Sequence, residues 1–567
     1  MLRRARATLA AALLAVVCPA LWAAPRFGGD LVASLHSDPK TLNPITALDL
    51  PSQTVIGLLN ADLIHINRYT QQIEPALATS WTVADGGRRY ILSLRRGVRF
   101  SNGEPFTAAD VIFSFRVYLD PRMHSPQRDL LTVGGQPIRA QRLGRYRVAF
   151  DLAQPDAAAL RLFDGVAMLP SQLLGPLYRA GRLRRAWGPS TPPRQIAGLG
   201  PFRVLRYVPG QKLALARNPY YWRFAPGPNP RRLPYLNRLT FVIVPAGDAE
   251  VLRFQAGEVN LISGFSAPNF ALLAAQARFR HYQVRDLGAG LEYDFLFFNL
   301  NQLAGRHLPR RSYQQRWFRR VRFRQAISAA IDRRAIVRLV FQGRATPLWE
   351  QVTPGEKRWV NSAILAPARS DAHALRLLAA MGFRRAGNGA LRDPGGHTVQ
   401  FSIITNPSNP QRLQAAALIQ SDLAQIGIQV RIVPLQFQAL LSRVFHSYDY
   451  AACLLGLVSG DADPNPEMNV WTTGGGAHLW DLTARRATSP WQAQLDRLMR
   501  RQMVETSFAR RRRTYDQVQA LVARDLPLIC LYSPDVLIAA DDSIGGLQAA
   551  VLRPYLLWNA ADLYLRD

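Results

Sequence analysis

Three acidic residues gather in one short stretch of the sequence, and they are its strongest candidates for chemistry. Asp461, Asp463 and Glu467 lie within GDADPNPEMNVW (460–471), where a glycine and two prolines favour a loop. The apolar, strand-like run YDYAACLLGL comes directly before it. Carboxylates presented at a strand end are well placed to meet a cationic ligand group. A calcium loop would need more oxygen ligands at regular spacing, whereas a solvated acidic loop stays open as an alternative.

Aromatic residues close to this loop could give such a ligand an apolar surface. The region 456–480 combines fixed acids with large aromatic side chains. We therefore expect Asp461 and Asp463 to face the ligand, with Trp471 and Trp480 as apolar walls. The next candidates are Tyr293 and Phe295, which lie in a strand-like run.

The motifs that catalysis or metal binding would need are missing from the sequence. It has no Gly-rich phosphate loop with Lys-Ser/Thr, no HExxH, no paired CxxC and no GxSxG, and its nine His are scattered singly. We expect no catalytic residue, no metal ion and no cofactor, so the protein is predicted not to be an enzyme. An exported hydrolase acting on peptides or glycans is the disfavoured alternative, because it requires a nucleophile or a metal site.

The first residues have the pattern of an export signal. Arg3, Arg4 and Arg6 precede the short apolar run TLAAALLAVV, and small residues follow. We interpret residues 1–24 as a signal peptide, which predicts a periplasmic or other extracytoplasmic location. A lipid anchor at Cys18 is not expected, because Val17 stands where a lipoprotein signal needs a small residue.

Charge and cysteine content are interpreted in the light of export. The formal net charge is +31, but the basic residues are almost all Arg and are spread along the chain, so we expect no nucleic-acid partner. After cleavage the chain would keep Cys453 and Cys530, both in apolar, strand-like runs. Two buried thiols are expected, with one disulfide bridge as the alternative.

Strand and helix patterns alternate along the whole chain, which indicates an α/β fold of two or three domains. Strand-like runs occupy 90–96, 146–152, 238–246, 293–300, 399–405 and 428–435, and helical runs occupy 371–383, 410–427 and 489–505. In the segment RRGVRFSNGEPFTAADVIFSFR (95–116), Asn102-Gly103 predicts a turn. Thr107 and Asp110 predict a capping box at the start of a helix.

Several of these segments occur together in one known family. The chain resembles the extracytoplasmic solute-binding proteins of family 5, which serve peptide, nickel and related ABC importers. The resemblance is carried, in this order, by SDPKTLNPITALD, IEPALATSW, YILSLRRGVRFSNGEPFTAADVIFSF, GLGPFRVLRYVPGQKLALARNPYYW, LRFQAGEVNL, VRFRQAISAAIDRRAIV, ALRLLAAMGF, DLAQIGIQVRI and RRTYDQVQALVARDLPLICLY.

The resemblance implies a two-lobed periplasmic-binding-protein fold of the large class, with an extra subdomain and a ligand cleft between the lobes. It places lobe I at 25–62, 195–290 and 530–567, the extra subdomain of lobe I at 63–194, and lobe II at 291–529. Hinge strands are expected near 286–296 and 524–532.

The resemblance also implies the function: a monomer that delivers a peptide or other small polar solute to the membrane permease of an ABC importer. Family members that bind peptides carry a Trp where this chain has Leu457. They carry an Asp, which holds the peptide's amino group, where this chain has Gly460. The ligand therefore stays open. A sensory protein that presents ligand to a membrane receptor is the alternative function.

Overall fold

The computed structural model describes residues 25–303 and 309–566. The signal peptide predicted over residues 1–24 lies outside the described residues. The strands are β1 (Asp30–Leu35), β2 (Ile64–Ile66), β3 (Ile73–Pro75), β4 (Ala78–Ala84), β5 (Arg89–Leu94), β6 (Thr132–Val133), β7 (Gln136–Pro137), β8 (Arg139–Gly144), β9 (Arg147–Asp151), β10 (Phe202–Val208), β11 (Lys212–Arg217), β12 (Arg238–Ile243), β13 (Leu261–Ser263), β14 (Tyr282–Ala289), β15 (Glu292–Phe298), β16 (Ala345–Pro347), β17 (Arg384–Arg385), β18 (Leu391–Arg392), β19 (Gln400–Thr405), β20 (Gln429–Pro434), β21 (Ala452–Val458), β22 (Ile529–Asp541), β23 (Ile544–Gly545) and β24 (Tyr564–Leu565).

Helices occur between these strands along most of the chain, as the sequence pattern predicts. They are α1 (Leu50–Leu59), α2 (Ala108–Leu119), α3 (Gln127–Leu130), α4 (Ser171–Arg179), α5 (Gly247–Gln255), α6 (Ala267–Arg280), α7 (Pro309–Phe318), α8 (Val321–Ala330), α9 (Arg333–Val340), α10 (Asp371–Ala379), α11 (Pro410–Gln425), α12 (Phe437–Ser442), α13 (Met468–Trp471), α14 (Pro490–Val504) and α15 (Phe508–Asp525). Every strand and helix run named above from the sequence contains the predicted type of element.

One mixed sheet runs through the molecule. Its strand order is β10-β11-β12-β1-β13-β22-β15-β21-β19-β20, and β14 and β16 also pair with β22. The long strand β22 is its centre. Residues 535–541 of β22 pair with β13 and β14, whereas residues 529–534 pair with β15 and β16. One continuous strand therefore belongs to both halves of the sheet.

Two large hydrophobic cores flank this central strand. The first contains Leu31 of β1, Phe115 of α2 and Ile538 of β22, and it extends into the separate sheet β4-β5-β9-β8. The second lies within residues 293–532 and contains Phe295 and Trp471. We call residues 63–194 the small-sheet region and residues 293–532 the second-core region. The division into lobes given above stays a prediction.

The segment 95–116 folds as its sequence predicts. Gly103 has a φ of 90°, which suits the turn before α2. The backbone N–H of Thr107 donates to Asp110 Oδ2 at 2.8 Å, and the Thr107 side chain accepts from the backbone, which completes the capping box. Val111 and Phe115 of α2 are buried. This segment is therefore scaffold that packs into the first core.

The two described cysteines are free thiols, as expected. Cys453 on β21 and Cys530 on β22 are both buried. Each is paired with a residue of β15, Phe297 and Phe295 respectively, so that strand separates them. Within residues 25–303 and 309–566, the structure contains no helix of sufficient length and apolar character to cross a bilayer.

Candidate functional site

A cavity of about 420 Å³ lies between the small-sheet region and the second-core region. That volume is within the usual range for small-molecule sites, roughly 300–1,000 Å³. Its apolar lining is made by Ile73, Val83, Tyr90, Leu160, Trp359 and Phe508. Its charged lining is made by Asp156, Arg161, Arg358, Asp463 and Arg511.

Asp463 lines this cavity and already has a cationic partner. Nη1 and Nη2 of Arg511, on α15, donate to its two carboxylate oxygens at 2.7 and 2.6 Å. Both residues are almost completely buried, at 5% and 4% exposure. Burial acts to raise the pKa of Asp463, but the charge and hydrogen bonds of Arg511 hold it below its usual value. The carboxylate is therefore ionised and neutralised by the protein itself.

Asp461 joins the two sides of the cavity. Nε and Nη2 of Arg161, in the small-sheet region, donate to both of its carboxylate oxygens. Burial acts to lower the pKa of Arg161, but Asp461 raises it above its usual value. A bidentate Arg–carboxylate pair fixes orientation as well as distance. Asp461 thus binds the opposite face of the cleft.

Further polar contacts cross between the same two regions. Asn465 Nδ2 donates to Asp156 Oδ1 at 2.8 Å, and the backbone N–H of Ala157 donates to the carbonyl of Met503 at 2.7 Å. Gln71 Nε2 donates to the carbonyl of Gly355 at 2.5 Å. The small-sheet region and the second-core region therefore contact each other around the cavity.

The four predicted aromatic residues lie inside the second core. Trp471 and Trp480 have 0% exposure, and their ring centroids are 5.7 Å apart. Tyr293 and Phe295 are adjacent on one face of β15 and are also buried. In this arrangement none of the four lines the described cavity, so their proposed contact with ligand stays a prediction. Of the six predicted residues, Asp463 lines the cavity and Asp461 bridges it.

Sequence reasoning did not single out Arg161 and Arg511. They are two of 70 basic residues, most of them Arg, and neither belongs to a recognisable motif. Arg161 is 300 positions from its partner Asp461 in the chain. The available signal was the acidic loop itself, because any of its acids that becomes buried while ionised needs a cationic partner from elsewhere in the fold.

Glu467, the third acid of the loop, is buried and does not line the cavity. Its Oε2 accepts a hydrogen bond from Trp471 Nε1 at 2.9 Å. Burial raises its pKa to about 7, although the hydrogen bond from Trp471 lowers it. Burial and the charge of Glu467 raise the pKa of the nearby buried Glu356 as well. The two acids therefore favour the protonated form in the folded protein.

Glu467→Gln should become more stable relative to wild type as the pH rises from about 4.5 to about 7. In that interval folded Glu467 keeps a proton that the unfolded chain has lost, so wild-type stability falls by up to about 1.4 kcal/mol per pH unit from this group. Urea unfolding of both proteins at pH 5 and pH 7.5 measures the difference. The exposed control Glu258→Gln should follow wild type at both pH values, and a pH-independent difference for Glu467→Gln would contradict the assignment.

No metal site is formed by the residues that the structure describes: no group of three or more His, Cys, Asp or Glu side chains is arranged to hold an ion. The arrangement instead offers a partly aromatic cavity with fixed charges. Such a cavity can bind and release a solute.

Comparison with known proteins agrees with this interpretation. Residues 72–478 match the family of bacterial extracellular solute-binding proteins, family 5 (middle). A probable ABC transporter-binding protein of Deinococcus radiodurans is 26% identical over 554 residues, covering 94% of this chain and 92% of that protein. The oligopeptide-binding protein AppA of Bacillus subtilis is 24% identical over 536 residues, covering 92% and 90%.

A solved structure has the same fold. The structure of Bacillus subtilis AppA in complex with a nonapeptide superimposes with a TM-score of 0.71 at 23% identity, covering 96% of this chain and all of that one. The fold expected from the sequence, two-lobed α/β with a cleft between the lobes, is confirmed.

Proposed function

Because this chain belongs to family 5 of the bacterial extracellular solute-binding proteins, we propose that it captures a peptide or another small polar solute and delivers it to an ABC importer. Members of this family are binding proteins, not enzymes, and they work with importer permeases outside the cytoplasm. The observation that carries the proposal is the cavity whose two sides are joined by the ion pair between Arg161 and Asp461.

The mechanism is a shift of population between an open and a closed form. A solute that contacts both the small-sheet region and the second-core region adds its binding free energy to the closed form only. The ion pair between Arg161 and Asp461 and the hydrogen bond from Gln71 to Gly355 cross between these regions. The closed form would then dock on the permease.

The solute is held, in this proposal, at the cavity beside Asp463. Asp461 acts by joining the two sides, since its carboxylate is occupied by Arg161. Trp471, Trp480, Tyr293 and Phe295 are buried in the second core and do not line the cavity, so they would reach a ligand only after a local rearrangement. Peptide transport is supported by relatives such as the oligopeptide-binding protein. The peptide binders' Trp and Asp are replaced by Leu457 and Gly460, which favours a ligand held in another way.

We further propose that residues 1–24 direct export and that the mature chain acts as a monomer without a lipid anchor. The sequence pattern at Arg3, Arg4 and Arg6 supports export. The cleft mechanism needs the two sides of one chain only, which supports the monomer.

Native mass spectrometry of freshly exported protein tests the function. We expect a bound solute whose mass identifies it. Removing the solute by unfolding and refolding should increase the radius of gyration in small-angle scattering, and adding it back should restore the compact form. An unchanged radius at saturating solute would contradict the proposal, and so would turnover of the solute into a product.

A further inference from the structure

One cation in the cavity wall, Arg358, has no hydrogen-bonded or ion-paired partner among the described residues. The guanidinium of Arg358 lies over the ring of Phe508, 4.0 Å from its centroid. In the part of the chain that the structure describes, no hydrogen bond or ion pair is made by this side chain. Arg358 is half-buried and lines the cavity.

The other two cations that line the cavity are each paired with an acid of the protein. Arg161 binds Asp461, and Arg511 binds Asp463. The remaining acid, Asp156, accepts hydrogen bonds from the backbone N–H of Ala158 at 2.7 Å and from Asn465 Nδ2 at 2.8 Å. These contacts direct the Asp156 carboxylate toward Asn465 and its own backbone, and neither of them involves Arg358.

The surroundings of Arg358 do not fully compensate its charge. Burial and the charge of Arg161 lower the pKa of Arg358, and Asp463 offsets this only in part. A half-buried cation without an anion loses part of its hydration without compensation. An anion supplied by the ligand would replace that hydration with charge-assisted hydrogen bonds.

The wall beside Arg358 is aromatic and apolar. The ring centroids of Trp359 and Phe508 are 5.2 Å apart in an edge-on arrangement, and Leu160 and Tyr90 of the small-sheet region also line the cavity. Arg511 lies over the Trp359 ring at 4.9 Å, which holds that ring in place. A cation next to such a wall suits a ligand that is charged at one end and apolar along its body.

We propose that this cavity binds a ligand with a carboxylate on an apolar or aromatic body. The carboxylate binds the guanidinium of Arg358, whose planar donor pair matches its geometry, and the body lies against Trp359 and Phe508. This inference rests on the proposed function and names the ligand class for the same site.

The test uses a matched pair of probes, N-acetylphenylalanine and N-acetylphenylalaninamide, which differ in the carboxylate alone. Calorimetric titration of wild type should show the carboxylate binding about 10- to 100-fold more tightly than the amide. Arg358→Gln should abolish that preference, whereas Arg358→Lys, which keeps the charge, should keep part of it. Lys357→Gln removes the charge of the adjacent, exposed side chain and should leave the preference for the carboxylate probe unchanged.

Some outcomes would overturn the inference. They are equal binding of the two probes by wild type, binding of neither probe, an undiminished preference in Arg358→Gln, or tighter binding of phenyl phosphate than of N-acetylphenylalanine. A bound natural solute that lacks a carboxylate would overturn the ligand class and leave the proposed function standing. Absence of any solute-dependent compaction would count against the proposed function itself.

Discussion

Asp463→Asn should lower the free energy of unfolding by about 3–5 kcal/mol, the usual consequence of removing one partner of a buried ion pair. The variant leaves the guanidinium of Arg511, only 4% exposed, without its counter-charge. Gln502 and Asn465 also accept hydrogen bonds from Arg511, but both are neutral and cannot replace the carboxylate. Urea unfolding followed by tryptophan fluorescence measures the loss.

The neighbouring pair Arg510–Glu505 is a matched control. Arg510 lies next to Arg511 on α15, and Glu505 precedes that helix, but the Arg510 side chain is 66% exposed. Arg510→Gln should change stability far less than Asp463→Asn, because exposed ion pairs are screened by water. Equal effects of the two substitutions would show that Asp463 and Arg511 are less buried in solution than described here.

Asp461→Asn should weaken ligand binding about 10- to 100-fold while leaving the unfolding free energy almost unchanged. The ion pair with Arg161 joins the two sides of the cavity and is therefore made only in the closed form. Its loss should destabilise the closed form by about 1.5–3 kcal/mol and leave the open form unaffected. Small-angle scattering should show a larger radius of gyration in the variant at the same solute concentration. Arg161→Gln should reproduce both results. The double variant, Asp461→Asn with Arg161→Gln, should weaken binding little more than either single substitution.

Asp164→Asn is the control for this second prediction. Its ion pair with Arg68, at 2.8 Å, has similar burial but lies entirely within the small-sheet region. This substitution should lower the free energy of unfolding and leave ligand affinity and the radius of gyration with solute unchanged. If Asp461→Asn lowers stability and spares affinity, the pair serves folding and not closure.

Local signals predicted the scaffold well, and long-range contacts limited the prediction of the site. The capping box at Thr107 and Asp110 depends on residues three positions apart, so sequence alone was sufficient. Asp461 was found from its loop, but its partner Arg161 is distant in the chain and surrounded by many equivalent arginines.

The tryptophans show a second limit. Trp471 and Trp480 could equally form a cavity wall or a core, because a large aromatic ring is favourable in both places. The structure buries both completely. Only the packing of the surrounding helices and strands decides between these environments, and no pattern within 456–480 records that packing.

The continuous strand β22 has a consequence for the order in which the protein assembles. Almost the whole described chain separates β1 from β22, yet both belong to the same sheet, in which β13 alone lies between them. During synthesis, neither half can complete its sheet until residues 529–541 have been made. Folding therefore depends on contacts of very long sequence separation, which form slowly. In a nascent chain that lacks β22, both halves of the sheet are incomplete. A truncation just before Ile529 should therefore prevent both halves from folding.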